Sequence, residues 1–298
     1  MYDYMLDTFI AVAECGSFSK AAERLFMSPT AVMKQINSLE KHLDLKLFER
    51  RPSGIRLTSS GGIILRGAAF MIEFSERTVS EAKRAERSAN IFCIGSSLLN
   101  PAKPFFELWY KLNSSFSDFK LNIVPFDDNG ILSEVSSLGG KFDFLVGVCD
   151  SKTWLDRCNM LELGHYRKMI AVPREHRLAK REVIDIEDLY GETLMMVKRG
   201  DSWANDFLRS ELEFHPKIKI EDTRQFYDLS VFNRCAETGN VLLTIECWRD
   251  VHPGVVTIPV NWDYTIPYGL LYSLEPSENV RRFIEAAKML INNEVFPE

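Results

Sequence analysis

The sequence predicts an α+β multi-domain chain: a winged helix-turn-helix over residues 1–58, a long linking helix over 59–89, and a two-lobed α/β body over 90–298. Three observations carry this. Residues 18–42, FSKAAERLFMSPTAVMKQINSLEKH, read as a capped short helix, a tight turn and a longer helix with two unlike faces. An amphipathic stretch without a break follows at about 60–87. From residue 91, strands alternate with helices, the pattern of parallel α/β layers.

In chain order, Leu6, Phe9, Ile10 and Ala13 repeat at i, i+3, i+4 and i+7, an apolar stripe on a first helix that ends at Gly16. Ser17 or Ser19 caps a second helix running through Arg24, with Ala21, Ala22 and Leu25 turned inward. Ser28-Pro29 then supplies a side-chain cap and a proline at the first helical position, where its missing N–H is not needed. On the third helix, Val32, Ile36, Leu39 and Leu43 form the inward stripe, and Thr30, Met33, Lys34, Asn37 and Lys41 the opposite one. Such a unit lays the start of its second motif helix in the DNA major groove. There Thr30 can bond a base edge or phosphate, Lys34 guanine acceptors, Asn37 adenine, and Met33 a thymine methyl. Residues 47–50 and 55–58 read as short strands around Arg51-Pro52-Ser53-Gly54, a wing bringing Arg50, Arg51 and Arg56 to phosphates or the minor groove. The competing reading, a merely solvated helix face, does not explain the ordered succession of cap, turn, helix and basic wing.

The run FIAVAECGSFSKAAERLFMSPTAVMKQINSLEKHLDLKLFERRPSGIRLTSSG resembles, without a gap, the amino-terminal signature of the LysR-type transcriptional regulators: AVAECGSFSKAAERL, SPTAV, SLE, LFER and LTSSG. The resemblance implies DNA contacts at Pro29, Thr30, Met33, Lys34, Arg50, Pro52 and Ser53; with Ser28, Asn37, Arg51 and Arg56 from the residues themselves, these make the expected DNA-facing set. Met33 departs from the family's small hydroxyl residue, and Asp44 from the glycine common in the turn after the third helix.

The net charge of −6 is unevenly spread. The first 60 residues hold eight Lys+Arg against seven Asp+Glu, residues 61–90 five against four, and the remainder 23 against 31. An acidic body repels DNA and leaves the arginine-bearing end to dock, while a weakly charged docking unit calls for two copies. No apolar run approaches a membrane span, and Met1-Tyr2-Asp3-Tyr4 lacks the basic start of a signal peptide, so a cytoplasmic location is expected. Six cysteines, Cys15, Cys93, Cys149, Cys158, Cys235 and Cys247, form no C-x-x-C pair and no metal spacing with the five histidines. No metal or cofactor is expected; a switch disulfide stands as an alternative mode of control.

Thr58 or Ser59 caps the linking helix, whose inward set Ile64, Ala68, Ile72, Ser75, Val79 and Ala82 comes close to a coiled-coil repeat, as the dimerising linker implied by the family does. Gly61, Gly62 and Gly67 ask for compliance or close packing at its start.

In the body, strands are expected at 91–95, 119–126 and 142–148 with helices at 104–113 and 129–138, then a crossing strand at 161–172. The second lobe reads as strands at 193–197, 217–221 and 241–245 with helices at 201–212 and 225–238; strands at 255–260 and 268–273 follow, and a helix at 277–292 returns to the first lobe. Lobe 1 thus spans about 90–160 and 267–298, lobe 2 about 161–266. The family's effector domain has the architecture of periplasmic binding proteins, and AVPREHRLA resembles its hinge-side stretch, with Arg177 where proline is usual.

Ligands of open α/β sheets settle at strand carboxyl ends and helix amino ends. That rule selects Ser96, Ser97, Asp128, Asn129, Val148 and Cys149 in lobe 1, and Arg199, Asp201, Ser202, Trp203, Thr223, Arg224 and Glu246 in lobe 2. The family's effector positions fall on Ser96, Ser97, Asn129, Val148, Ser202 and Thr223. Hydroxyls, carboxylates and Arg199 together suggest a small polar metabolite, zwitterions included; a simple aromatic acid fits less well beside Asp127 and Asp128. Each candidate has a plainer reading as a cap or solvated loop, and Trp203 as core.

No phosphate loop, G-x-S-x-G elbow or H-E-x-x-H pair supports an enzyme. The expected partners are double-stranded DNA, a small-molecule effector, further copies of the chain as homodimer or homotetramer, and RNA polymerase. Amino-terminal helices that contact protein in place of DNA form a third alternative.

Overall fold

The computed structural model describes residues 1–51, 54–85, 90–148 and 150–295. Pro52, Ser53, Cys149 and the end of the expected linking helix at 86–87 lie outside the described residues. The chain forms two compact units, residues 1–84 and 85–298.

In the first unit, α1 (Met5–Cys15) ends at Gly16, whose left-handed backbone (φ 60°) lets its N–H reach the Val12 carbonyl. The Ser17 hydroxyl caps α2 (Phe18–Arg24), and Ser28 caps α3 (Pro29–Leu43) by accepting the Ala31 N–H at 3.2 Å. Leu6, Phe9, Val12, Ala21, Ala22, Val32, Ile36 and Leu39 close one core; Ile10 and Ala13 are only half-buried because α1 turns Ala11 and Val12 inward instead. Asp44 ends α3 in the left-handed conformation (φ 51°), so the turn keeps the shape that glycine would give it.

Strands β1 (Phe48–Arg51) and β2 (Gly54–Leu57) pair antiparallel, Phe48 opposite Leu57 and Glu49 opposite Arg56. Then α4 (Ser59–Ala85) starts on the Thr58 hydroxyl, which accepts the Gly61 N–H at 2.9 Å and donates to the Lys46 carbonyl. Of its glycines only Gly61 is sterically required: a Cβ there would lie 2.1 Å from the Leu47 carbonyl oxygen. The early positions of the expected inward face pack within their own unit. Ala68 is buried in the unit's own core with Ile64, Leu65 and Ile72 packed against it, because the helix lies on α1–α3. Among the described side chains of α4, the large apolar ones left exposed are Ile63, Phe70, Met71 and Phe74, with the Phe70 and Phe74 rings stacked at 6.2 Å.

In the second unit the chain runs β3 (Ile91–Ser96), α5 (Lys103–Leu112), β4 (Lys120–Pro125), α6 (Ile131–Ser136), β5 (Phe144–Val148) and α7 (Lys152–Leu155) into β6 (Cys158–Pro173). It continues β7 (Thr193–Val197), α8 (Trp203–Leu212), β8 (Lys219–Thr223), α9 (Leu229–Thr238), β9 (Val241–Ile245), β10 (Val255–Pro259), β11 (Thr265–Ser273) and α10 (Glu278–Val295). The sheet order is β4-β3-β5-β11-β6-β9-β7-β8, with β10 on β6. Pairs β3/β4, β3/β5, β7/β8 and β7/β9 are parallel; β6 and β11 are antiparallel to each other and thread both lobes.

Phe92, Phe105, Phe116, Phe144 and Phe283 fill the first lobe, the last bringing α10 back onto it as expected. Ile170, Leu194, Met196, Leu208, Leu212 and Leu243 fill the second. Arg177 bonds Glu192 and the Asp188 carbonyl, which gives this arginine a role in fastening the hinge-side turn.

Candidate functional site

On α3 the cap and the buried stripe fix which way the helix faces. Thr30, Lys34, Asn37 and Lys41 are exposed, as are Ser28 and Pro29 at its start, and Met33 is half-buried. Arg56 is exposed on β2; Arg50 and Arg51 hold strand positions opposite Ile55 and Gly54. Glu40 ties the wing to the helix. Its carboxylate accepts the Leu47 and Phe48 N–H groups at 2.8 and 3.2 Å and the Lys46 ammonium at 2.6 Å. Burial works to raise its pKa, but the Lys46 and backbone bonds outweigh it and hold the carboxyl below its ordinary value. Sequence reasoning missed this residue, since a glutamate on a helix reads as solvated.

Within the second unit, a cavity of about 100 Å³ lies where the strand ends of the two lobes meet. From lobe 1 it is lined by Asn100, Ile131, Val148, Asp150, Ser151 and Trp154, and from lobe 2 by residues including Val197, Asp201, Ser202, Asn205, Phe226 and Thr244. Lys168, on β6, completes it.

Two carboxylates latch the lobes across this space, each at the other lobe's helix start. Asp201 accepts the Ser151 and Thr153 hydroxyls and the Thr153 N–H, at the start of α7. Asp150 accepts the Ala204 N–H at 2.6 Å, at the start of α8. Burial tends to raise the pKa of Asp201, but the bonds from Ser151, Thr153 and Gln225 hold it below the usual value. The Trp248 indole donates to the Leu99 carbonyl at 2.7 Å, a third tie.

Lys168 is 2% exposed, and its ammonium donates to the Asn205 side-chain oxygen. Burial lowers its pKa to about 8, with Asp150 working the other way. Two other lining groups, the Thr244 hydroxyl and the Trp154 indole N–H, are buried without a hydrogen-bond partner.

Of the residues expected to meet an effector, Val148, Asp201 and Ser202 line the cavity, Ser202 also capping α8. The others are placed differently. Ser96 accepts the Ala102 N–H, and Ser97 donates to Asp128. Asp128 also accepts the Leu99 N–H and the Asn100 amide, so its carboxylate is spent on folding the loop after β3. Asn129 bonds Asp127. Arg199 is held by Glu213 on the surface, Thr223 donates to the Arg224 carbonyl, and Trp203, 72% exposed, stacks on Phe207. With Asp127 and Asp128 occupied and Arg199 turned away, the charge argument built on them passes to Lys168, Asp150 and Asp201.

Among the described residues no group of three or more His, Cys, Asp or Glu could hold a metal, and no helix is long and apolar enough to cross a membrane. The Cys235 and Cys247 thiols are pushed up to about 12 by burial, which works against thiolate chemistry at either.

Residues 4–62 match the model of the bacterial regulatory helix-turn-helix proteins of the lysR family, and residues 112–290 that of the LysR substrate binding domain. The chain is 29% identical to the transcriptional regulator CysL of Bacillus subtilis over 207 residues, 67% of this chain and 66% of that protein. It is 40% identical to TfdS of Cupriavidus pinatubonensis over 79 residues, covering only 26% and 27% of the two. The fold is similar to that of CbnR, a LysR family transcriptional regulator, with a TM-score of 0.55 at 17% identity over 97% of this chain and 99% of that one. CbnR has also been solved with its target DNA, and that structure is similar at a TM-score of 0.51. With both family models matched in order along one chain, and the second alone spanning more than half of it, this protein belongs to the LysR family of transcriptional regulators.

Proposed function

We propose that the chain is a sequence-specific DNA-binding regulator whose DNA binding or oligomer geometry responds to a small effector held between the two α/β lobes. The observation that carries the first half is the capped α3 with its apolar stripe buried and Thr30, Lys34 and Asn37 all exposed on the other side. The basic wing beside it supplies phosphate contacts, and Met33 and Asn37 offer groups suited to base edges. Two copies are required: a helix in one major groove gives modest affinity, and a dyad-related pair spans successive grooves about one turn apart. The exposed stripe of Ile63, Phe70, Met71 and Phe74 on α4 is the surface a second copy would cover, giving a dimer or, by association of dimers, a tetramer. An effector shifts that assembly only through its differential affinity for two arrangements. RNA polymerase is a further partner of an activator.

The test is a duplex-binding titration on promoter-region DNA. Log affinity should fall linearly with log salt, the slope scaling with phosphate contacts. The triple variant Lys34→Ala, Arg50→Ala, Arg56→Ala should lose roughly 100-fold or more in affinity at moderate salt. Its Tm should stay close to that of the parent. Unchanged affinity would turn the reading toward protein contacts by the same helices.

A further inference from the structure

We propose that the interlobe cavity takes a small monoanion, a carboxylate or an inorganic oxyanion, seated on the Lys168 ammonium with Thr244 and Trp154 as further hydrogen-bonding groups. This rests on reading the interlobe space as the effector site, and it names the chemistry of that effector.

The charges in the cavity wall are unequally satisfied. Asp201 is met by two hydroxyls and an N–H, and Asp150 by the N–H that opens α8. Asp201 thus has donors on both oxygens, and the Asp150 oxygen that bonds is tied to a helix start. Lys168 is in the opposite position: an ammonium has three N–H donors, and Lys168 directs one to the neutral Asn205 side chain. A buried cation that lacks a bonded anion is unfavourable, and a ligand carrying negative charge relieves it. A cationic ligand would meet Lys168 as a like charge.

The same wall sets an upper limit on charge. Asp150 and Asp201 line the cavity with Lys168 and the exposed Lys198, so a second negative charge on the ligand would face two carboxylates with only a solvated lysine to offset them. The space, about 100 Å³, is smaller than the roughly 150 Å³ cavity that admits benzene, which suits a ligand of few atoms. The Thr244 hydroxyl, 1% exposed, and the Trp154 indole, 5% exposed, are polar groups on this wall that folding leaves without partners. Oxygen atoms of an oxyanion can accept from both kinds of donor.

The experiment is thermal shift with calorimetric titration on the full chain at pH 7, ionic strength held constant with sodium chloride. Acetate, propionate and glycolate represent carboxylates, nitrate an inorganic monoanion, sulfate a dianion and acetamide the neutral match to acetate. At least one monoanion should raise Tm saturably, with sulfate and acetamide at least tenfold weaker; whether carboxylates or nitrate respond identifies the source. Lys168→Met and Lys168→Gln should abolish the response while remaining folded, and Thr244→Val and Trp154→Phe should weaken affinity severalfold. No stabilisation beyond matched chloride, or an undiminished response in both Lys168 variants, overturns the assignment. If a neutral or cationic metabolite stabilises the parent chain and Asn205→Ala abolishes that effect, the cleft remains the ligand site and the anion assignment alone falls. If substitutions lining the cavity change no ligand response at all, the cleft reading falls with it.

Discussion

The DNA-facing helix and the interlobe cavity hold their functional groups in opposite ways. On α3, Thr30, Lys34 and Asn37 stand in solvent on the far side of a helix fixed by Val32, Ile36 and Leu39. Nothing in the core depends on what those exposed side chains are. In the cavity, Lys168, Thr244 and Trp154 are themselves buried, and their polar atoms are undersatisfied. Function and stability are therefore separable in the first unit and opposed in the second. An exposed docking face can be altered without touching the fold, whereas a cavity wall that leaves an ammonium and two further polar groups undersatisfied weakens the protein.

The largest expected effect probes what the first unit does depend on. Gly61→Ala would place a Cβ 2.1 Å from the Leu47 carbonyl oxygen and 2.9 Å from the Leu57 side chain, and neither the strand nor the helix start can yield cheaply. A loss of about 3 kcal/mol, the upper end for overpacking, is expected in chemical denaturation. Gly67→Ala, with nothing within 4 Å, should gain about 1 kcal/mol of helix propensity. Equal effects at the two glycines would mean that α4 does not pack on the wing as described.

Next comes Lys168→Met, which tests the opposition in the second unit. The lysine's pKa falls from 10.5 to about 8 on folding, so between those values the unfolded chain binds more protons and stability rises with pH. Below pH 8 the full cost of burial is present, about 3 kcal/mol. Methionine removes that cost but leaves the Asn205 oxygen without its donor, which returns about 1–2 kcal/mol. The variant should be about 1–2 kcal/mol more stable than the parent at pH 7, and the advantage should disappear by pH 10. A variant less stable at pH 7 would show that the ammonium is better satisfied than Asn205 alone makes it, and the contrast between the two regions would fail.

The same contrast explains what could be read from sequence. The third helix was legible because its cap, Ser28-Pro29, and its stripe lie within one short stretch and obey a single period. The cavity draws on segments far apart in the chain, and of the residues selected by the rule that ligands sit at strand ends only Val148, Asp201 and Ser202 line it. Ser97 and Asp128 obey the same rule for another reason, accepting backbone N–H groups where a strand turns into a loop, and Asn129 is there to donate to Asp127. Lys168 and Thr244 escaped it because they lie inside the spans of β6 and β9. The signal for Lys168 was present in Lys-Met-Ile-Ala-Val, a lysine heading a run that has to be buried. Helix α7, four residues long, is too short to show a period, yet its start receives Asp201.

The smallest expected effect falls in the helix-turn-helix turn itself. Phe26 follows α2 in the left-handed region (φ 53°) with 97% of its surface exposed, so it carries backbone strain with no burial to offset it. Asparagine tolerates that conformation better, and Phe26→Asn should raise stability by up to about 1 kcal/mol, a shift of a few degrees in Tm. If exposed groups in this unit are free of folding duties, the gain should appear in full. DNA affinity then decides what the ring does. Unchanged affinity makes Phe26 a tolerated strain beside the docking face. A loss of affinity alongside the gain in stability would make the turn part of that face, and would extend to the first unit the conflict between folding and binding described for the cavity.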